Sequence, residues 1–248
     1  MRWGRVAVEN HRGVLVPRIL GVFLAAVALA WTAVYDVARE VGALAWTSLL
    51  GSLLVFAAGI VDDIAPPGPR GLREHLRALA RGTVTTGVLK VVVTVGAAVV
   101  VVARLQPPTA WEALASIVLL AACANVWNGL DVRPGRALKA YLPVGLAFVL
   151  AGDVSAAPVA LAVFVGALVA LPADLRELAM LGDGGSNLLG FAAGIGLILV
   201  LPGWAVALVA AVAVALNLVA EMVTFSRAID RVPPLRWLDR LGRLPSAD

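Results

Sequence analysis

Apolar runs close to the length of a bilayer crossing recur from residue 14 to residue 224, and they leave this chain few folds. Inside hydrocarbon every backbone N–H and C=O needs a partner within the protein, so such runs become helices packed as a bundle. About eight segments qualify: 14–34, 44–61, 84–104, 112–128, 138–151, 156–172, 186–201 and 203–224. Of the 248 residues 61% are hydrophobic and only 15% are charged, whereas a soluble domain keeps about a quarter charged. The expectation is an all-α, polytopic transmembrane helical bundle, a single domain over residues 1–248.

The loops between these runs alternate in charge. Segments 1–13, 62–83, 129–137, 173–185 and 225–248 hold nearly all the arginines. Segments 35–43, 105–111, 152–155 and the Pro202-Gly203 turn hold only Arg39, with Arg104 at an edge. The positive-inside rule then places both termini, the N-terminal loop 1–13 and the C-terminal tail 225–248, in the cytoplasm. A multi-pass protein of the plasma membrane is expected, with its chemistry in the cytoplasmic loops. The net charge of +4 suits anionic membrane lipid or anionic substrates, and no nucleic-acid-binding motif is present. Cys123 lies alone in an apolar run, so it packs as a small hydrophobe and staples nothing.

Three polar constellations interrupt the apolar pattern on that side. Asp62 and Asp63 close one span. Adjacent carboxylates at a bilayer edge need a cation or hydrogen bonds to offset their cost, and they are natural ligands for a hard cation. Asn125, Asn128 and Asp131 recur every third residue, so one helical stripe carries all three. Gly182-Asp183-Gly184-Gly185-Ser186 precedes a further span. Its glycines permit close backbone approach to a ligand, the following helix N-terminus suits an anion, and Ser186 is placed to cap that helix. Solvated helix ends, interhelical hydrogen bonding and a capped turn are the structural alternatives. Convergence of Asp62, Asp63, Asp131 and Asp183 in the folded bundle would hold Mg²⁺ against a diphosphate.

Other charges need partners. Lys90 lies inside the third span and Glu221 near the end of the last. An intramembrane ionisable group is a functional candidate, and Lys90 either neutralises the carboxylates or contacts phosphate. Arg133, Arg136 and Lys139 suit phosphate oxygens and equally suit membrane anchoring. Leu72, Leu76 and Leu79 form a stripe on a short basic segment expected to lie in the interface, with His75 an interfacial residue there.

Taken in order, Val61-Asp62-Asp63, Asn125-x-x-Asn128-x-x-Asp131 and Gly182-Asp183-x-Gly185-Ser186 resemble the signature of the polyprenyl-phosphate N-acetylhexosamine-1-phosphate transferases, within glycosyltransferase family 4. Asn10-His11-Arg12-Gly13 and Val16-Pro17-Arg18-Ile19-Leu20-Gly21 resemble that family's first cytoplasmic loop. The resemblance implies transfer of a sugar-1-phosphate from a UDP-linked amino sugar to polyprenyl phosphate, with release of UMP, for cell-envelope glycan synthesis. It implies Mg²⁺, with Mn²⁺ as the alternative ion. Asp183 would be its main ligand, with Asp131 and Asp63, and Asp62 or Asp63 would orient or deprotonate the lipid phosphate. Asn125, Asn128 and Asp131 would line the nucleotide–metal pocket, and Lys90, Arg133, Arg136 and Arg231 would contact phosphates.

The chain departs from the pattern in three respects. It has fewer spans than relatives of this kind, a shorter second motif, and no histidine between Phe225 and Arg240, where the family carries a histidine-rich motif. The shortened ends would leave surface for a second subunit, so a homodimer is expected. A catalytically degenerate scaffold or regulator that binds lipid phosphate is the alternative function.

Overall fold

The computed structural model describes residues 7–10, 12–40, 42–66, 68, 71–151 and 155–244. Residues 1–6, His11, Arg70 and the side chains of Leu72 and Leu76 lie outside the described residues, and with them part of the N-terminal motif and of the leucine stripe.

The chain opens with a small antiparallel hairpin, β1 (Ala7–Glu9) and β2 (Leu15–Pro17). Helices follow: α1 (Leu20–Arg39), α2 (Ala43–Ile64), α3 (Gly71–Ala80), α4 (Thr86–Leu105), α5 (Ala110–Leu130), α6 (Arg136–Ala151), α7 (Pro158–Leu175), α8 (Gly182–Val200), α9 (Gly203–Met222), α10 (Phe225–Arg231) and α11 (Pro233–Arg240). Local chemistry sets several boundaries. Thr85 and Thr109 cap α4 and α5 by accepting the N–H groups of Val88 and Glu112. Left-handed Glu40 and Gln106 end α1 and α4, and Pro158 opens α7 where no N–H is needed.

Seven helices, α1, α2, α4, α5, α7, α8 and α9, are long and apolar enough to cross a membrane. The expected span at 138–151 is α6, whose 16 residues reach about 24 Å at the helical rise, short of a hydrocarbon core of about 30 Å. It still completes the alternation. Helices α1, α4, α6 and α8 start at one end of the bundle, and α2, α5, α7 and α9 finish there. This charged end also carries the hairpin, α3, α10 and α11.

The first span begins later than its apolar run. Residues 15–17 form β2 instead, held by backbone bonds from Met180 N–H to Pro17 O (3.0 Å) and from Leu20 N–H to Met180 O (3.1 Å). Helix α8 begins earlier than expected, at Gly182, so Asp183, Gly184 and Gly185 form its first turn rather than a loop. α8 is the most buried of the seven long helices and packs against α1, α2, α5 and α6, while α9 is the least buried.

Glycine sets the critical approach. A Cβ on Gly59 of α2 would lie 2.6 Å from the backbone of Gly184 in α8. With hydrogen there, two helix backbones touch directly, and the carboxylates at the end of α2 come beside the first turn of α8. We predict that Gly59→Ala costs about 1–3 kcal/mol through overpacking. Gly96→Ala, where no atom lies within 4 Å of the added carbon, should not lower thermal stability in detergent, since alanine is the better helix former.

Candidate active site at the charged end of the bundle

The last turn of α2 ends in Asp62 and Asp63, and their burial needs compensation. It comes from two cations on other elements. Lys90, in the second turn of α4, donates from Nζ to Asp62 Oδ2 at 2.8 Å and to Asp183 Oδ2 at 2.9 Å. Arg18, between β2 and α1, pairs with Asp63 Oδ1 at 3.1 Å and donates to the Asp63 backbone carbonyl at 2.9 Å. The Gly184 N–H reaches Asp63 Oδ2 at 3.3 Å. Asp183 itself sits in the first turn of α8, where the positive end of the helix dipole favours a carboxylate. Asn128 of α5 points its amide nitrogen at Asp183 Oδ2 (3.5 Å) and accepts from the Ser186 hydroxyl (2.9 Å). Thus Asp62, Asp63, Lys90, Asn128 and Asp183 meet, brought by four helices.

Ser186 does not cap α8. It is fully buried, and its single hydroxyl proton is shared between Asn128 Oδ1 and the Gly182 carbonyl, each 2.9 Å away, the latter inside the helix because α8 has already started. The flanking glycines serve helix contact: a Cβ on Gly185 would fall 2.6 Å from Gly21 Cα. Gly182, at φ +68, makes the turn into the helix.

Asn125 and Asp131 have further partners outside the central cluster. Asn125 donates to Asn217 of α9 at 2.8 Å. It also lines a cavity of about 50 Å³ with Lys90, Thr94 and Asn187. Asn187, 2% exposed, has an amide nitrogen without a hydrogen-bond partner. Asp131 terminates α5 and faces a pocket of about 130 Å³ that it shares with Arg133, Asp174, Glu177, Glu9 and Asn10. Desolvation there, reinforced by the charges of Asp174, Asp183 and Asp63, pushes its carboxyl well above the ordinary aspartate value.

Two carboxylates of this pocket were not singled out from the sequence. Asp174, 3% exposed, accepts the Gly135 N–H at 2.8 Å and so holds the loop after Asp131. Glu177 pairs with Arg12 (3.0 Å) and accepts the Asn10 amide, tying the hairpin to the loop before α8. Asp174 lies in the last turn of α7 and Glu177 in the turn that follows it, within a charged stretch whose pairings no spacing pattern announces.

Of the expected phosphate contacts, Arg133 lines the Asp131 pocket and Arg231 is exposed at the end of α10. Arg136 is committed elsewhere. It is 5% exposed and forks onto Asp239 of α11 at 2.8 and 3.0 Å, with a third bond to the Ser226 hydroxyl at 3.0 Å.

Among the described residues, no three His, Cys, Asp or Glu side chains converge tightly enough to hold one metal ion. Asp183, Asp131 and Asp63, the expected ligand set, are not assembled as one group. Asp63 is taken by Arg18 and the Gly184 N–H, and Asp131 turns toward Asp174. The two carboxylates that already share a cation are Asp62 and Asp183. That pair fits Mg²⁺, which takes one or two protein carboxylates and completes its shell with water and substrate phosphate.

Residues 45–202, from α2 to the end of α8, match the sequence model of glycosyl transferase family 4. The chain belongs to that family. Family 4 membership makes it a membrane transferase of the sugar-phosphate class, and the matched span contains every member of the central cluster except Arg18. No curated protein matches the chain.

Burial opposes ionisation of Asp239, but Arg136 and Arg243 outweigh it and hold the carboxyl below its ordinary value of 3.8. A depressed folded-state pKa stabilises the fold above the unfolded value and is lost as pH falls through the folded one. Docking of α11 should therefore weaken as the pH drops below 3.8. Fluorescence of Trp237, isolated by comparison with Trp237→Phe, should report that release, and Asp239→Asn should show the loosened state already at neutral pH.

Proposed function

We propose that this protein transfers a sugar-1-phosphate from a nucleotide amino sugar, UDP-linked, to polyprenyl phosphate at the cytoplasmic face of the plasma membrane. The products would be UMP and a polyprenyl-diphosphate sugar for cell-envelope glycan synthesis. The observation that carries this reading is the Lys90 ammonium shared by Asp62 and Asp183, beside the Asp131 pocket and at the membrane edge. Phosphoryl transfer asks a protein mainly for positioning and charge neutralisation, and this arrangement supplies both.

An acceptor phosphate oxygen would bond to the β-phosphorus of the donor as the bond from that phosphorus to the UMP oxygen breaks. Bound Mg²⁺, or Mn²⁺, held by Asp183 and Asp62, would neutralise charge on the diphosphate. Lys90 is placed to exchange a carboxylate for a phosphate oxygen without leaving the cluster. Asp63, fixed by Arg18, would orient the acceptor. Asp131 and Arg133 line the pocket that would receive the nucleotide, and Asp174 holds their loop. Asn128 steadies Asp183 through its carboxamide.

Purified protein, given Mg²⁺, polyprenyl phosphate and a panel of UDP-sugars, should release UMP. Asp183→Asn should lower that release by at least about 100-fold, the scale for losing one electrostatic group at a reacting centre. Arg136→Ala should instead lower thermal stability, since its partners are structural. Lipid-phosphate binding without UMP release from any nucleotide sugar would favour a non-catalytic scaffold.

A further inference from the structure

Outside the catalytic cluster, the charged end holds a second cavity, of about 500 Å³, between α6 and the α10–α11 tail. Its volume is that of an ordinary small-ligand site. Leu130, Pro143, Ile229, Leu235, Leu238 and Leu241 form its walls, and Arg136, Lys139 and Asp239 stand at its polar side. Asp239 is the only buried residue of α11, whereas Leu235, Leu238 and Leu241 are each about half exposed. The tail is thus pinned through its charges while its leucines stay uncovered by protein.

The polar side carries surplus positive charge. Arg136 and Arg243 both bond Asp239. Lys139 Nζ caps the end of α11 by donating to the carbonyls of Leu238 (2.8 Å), Asp239 (2.7 Å) and Leu241 (3.1 Å). Three cations gather about Asp239, and the Asp174 carboxylate beside Lys139 and Arg243 leaves them still in excess. On the neighbouring face of α11, exposed Arg236 and Arg240 stand one turn apart, as their spacing requires. Pro143 and Ala140 belong to α6, the helix too short for the hydrocarbon core, so the apolar wall lies where the bilayer must make up the shortfall.

We infer that this cleft binds one anionic glycerophospholipid of the surrounding bilayer. An acyl chain lies along the leucine wall, and the phosphate headgroup faces Arg236, Arg240 and the cationic base. The charge excess selects an anion over a zwitterion, and the α6 wall selects a molecule already in the membrane. The lipid completes the seat of α11, and through Arg136 and the Arg243 bond to the Pro134 carbonyl (2.8 Å) it steadies the loop following Asp131. Binding of this lipid requires no turnover at the central cluster.

Delipidated full-length protein in detergent, titrated with phosphatidylglycerol and separately with phosphatidylcholine, tests the inference by native mass spectrometry. One phosphatidylglycerol per chain should be retained, and phosphatidylcholine should bind at least ten-fold more weakly. Arg236→Gln and Arg240→Gln, surface changes that leave folding intact, should each weaken phosphatidylglycerol binding about five-fold, the effect of about 1 kcal/mol per basic side chain. Leu238→Glu should abolish it. Equal retention of both lipids, undiminished binding by the arginine variants, or stoichiometric displacement by polyprenyl phosphate would overturn the inference. The last result would assign the cleft to the acceptor substrate.

Discussion

An ammonium group shared by two carboxylates from different helices is the interaction around which the charged end is organised. Lys90 of α4 reaches Asp62 of α2 and Asp183 of α8 within hydrogen-bonding distance. All three lie in long apolar helices, where an unpaired charge costs several kcal/mol. Lateral or rotational slippage of any one helix would strand at least one charge, so the contact fixes register as well as neutrality. It is possible only because Gly59 and Gly184 let α2 and α8 meet backbone to backbone. The same contact brings Asp63 to the Gly184 N–H and leaves Arg18 to balance it.

Much of this was legible in the sequence because membrane burial imposes simple rules. Hydropathy marked the helices, and the arginine bias of alternate loops marked one end as the polar one. The cost of intramembrane charge linked Lys90 with the acids. What escaped was set by tertiary contact. Nothing in the run from Val14 to Gly21 announces that residues 15–17 will pair backbone with Met180, because the apolar content of a strand and of a helix start is the same. Period-three spacing placed Asn125, Asn128 and Asp131 on one stripe. It could not show that Asn125 would find Asn217 on α9 or that Asp131, at the helix end, would swing toward Asp174.

The fate of Arg136 illustrates the same limit. A basic residue shortly after Asp131 reads as a phosphate contact, and its composition cannot distinguish that from a buried fork. The distinction lies in Asp239, 103 residues away. With Arg136, Lys139 and Arg243 gathered on it, the tail is fastened over the loop that leads away from Asp131. Between Phe225 and Arg240 this stretch carries no histidine. A helix pair latched by charge occupies this stretch, which lies beyond residues 45–202, the part that matches family 4.

The charged end therefore divides by sign. In the central cluster Asp62, Asp63 and Asp183 outnumber Lys90 and Arg18, and Asp131 stands close enough for their charges to raise its pKa. At the tail Arg136, Lys139 and Arg243 outnumber Asp239 and the nearby Asp174. A surplus of carboxylate favours a divalent cation and what that cation can hold, while a surplus of guanidinium and ammonium favours an anion. Loop 131–135 runs between the two, held by Asp174 through Gly135 on one side and by Arg243 through Pro134 on the other. Its position is thereby set from both sides, by a carboxylate at one end and a guanidinium at the other.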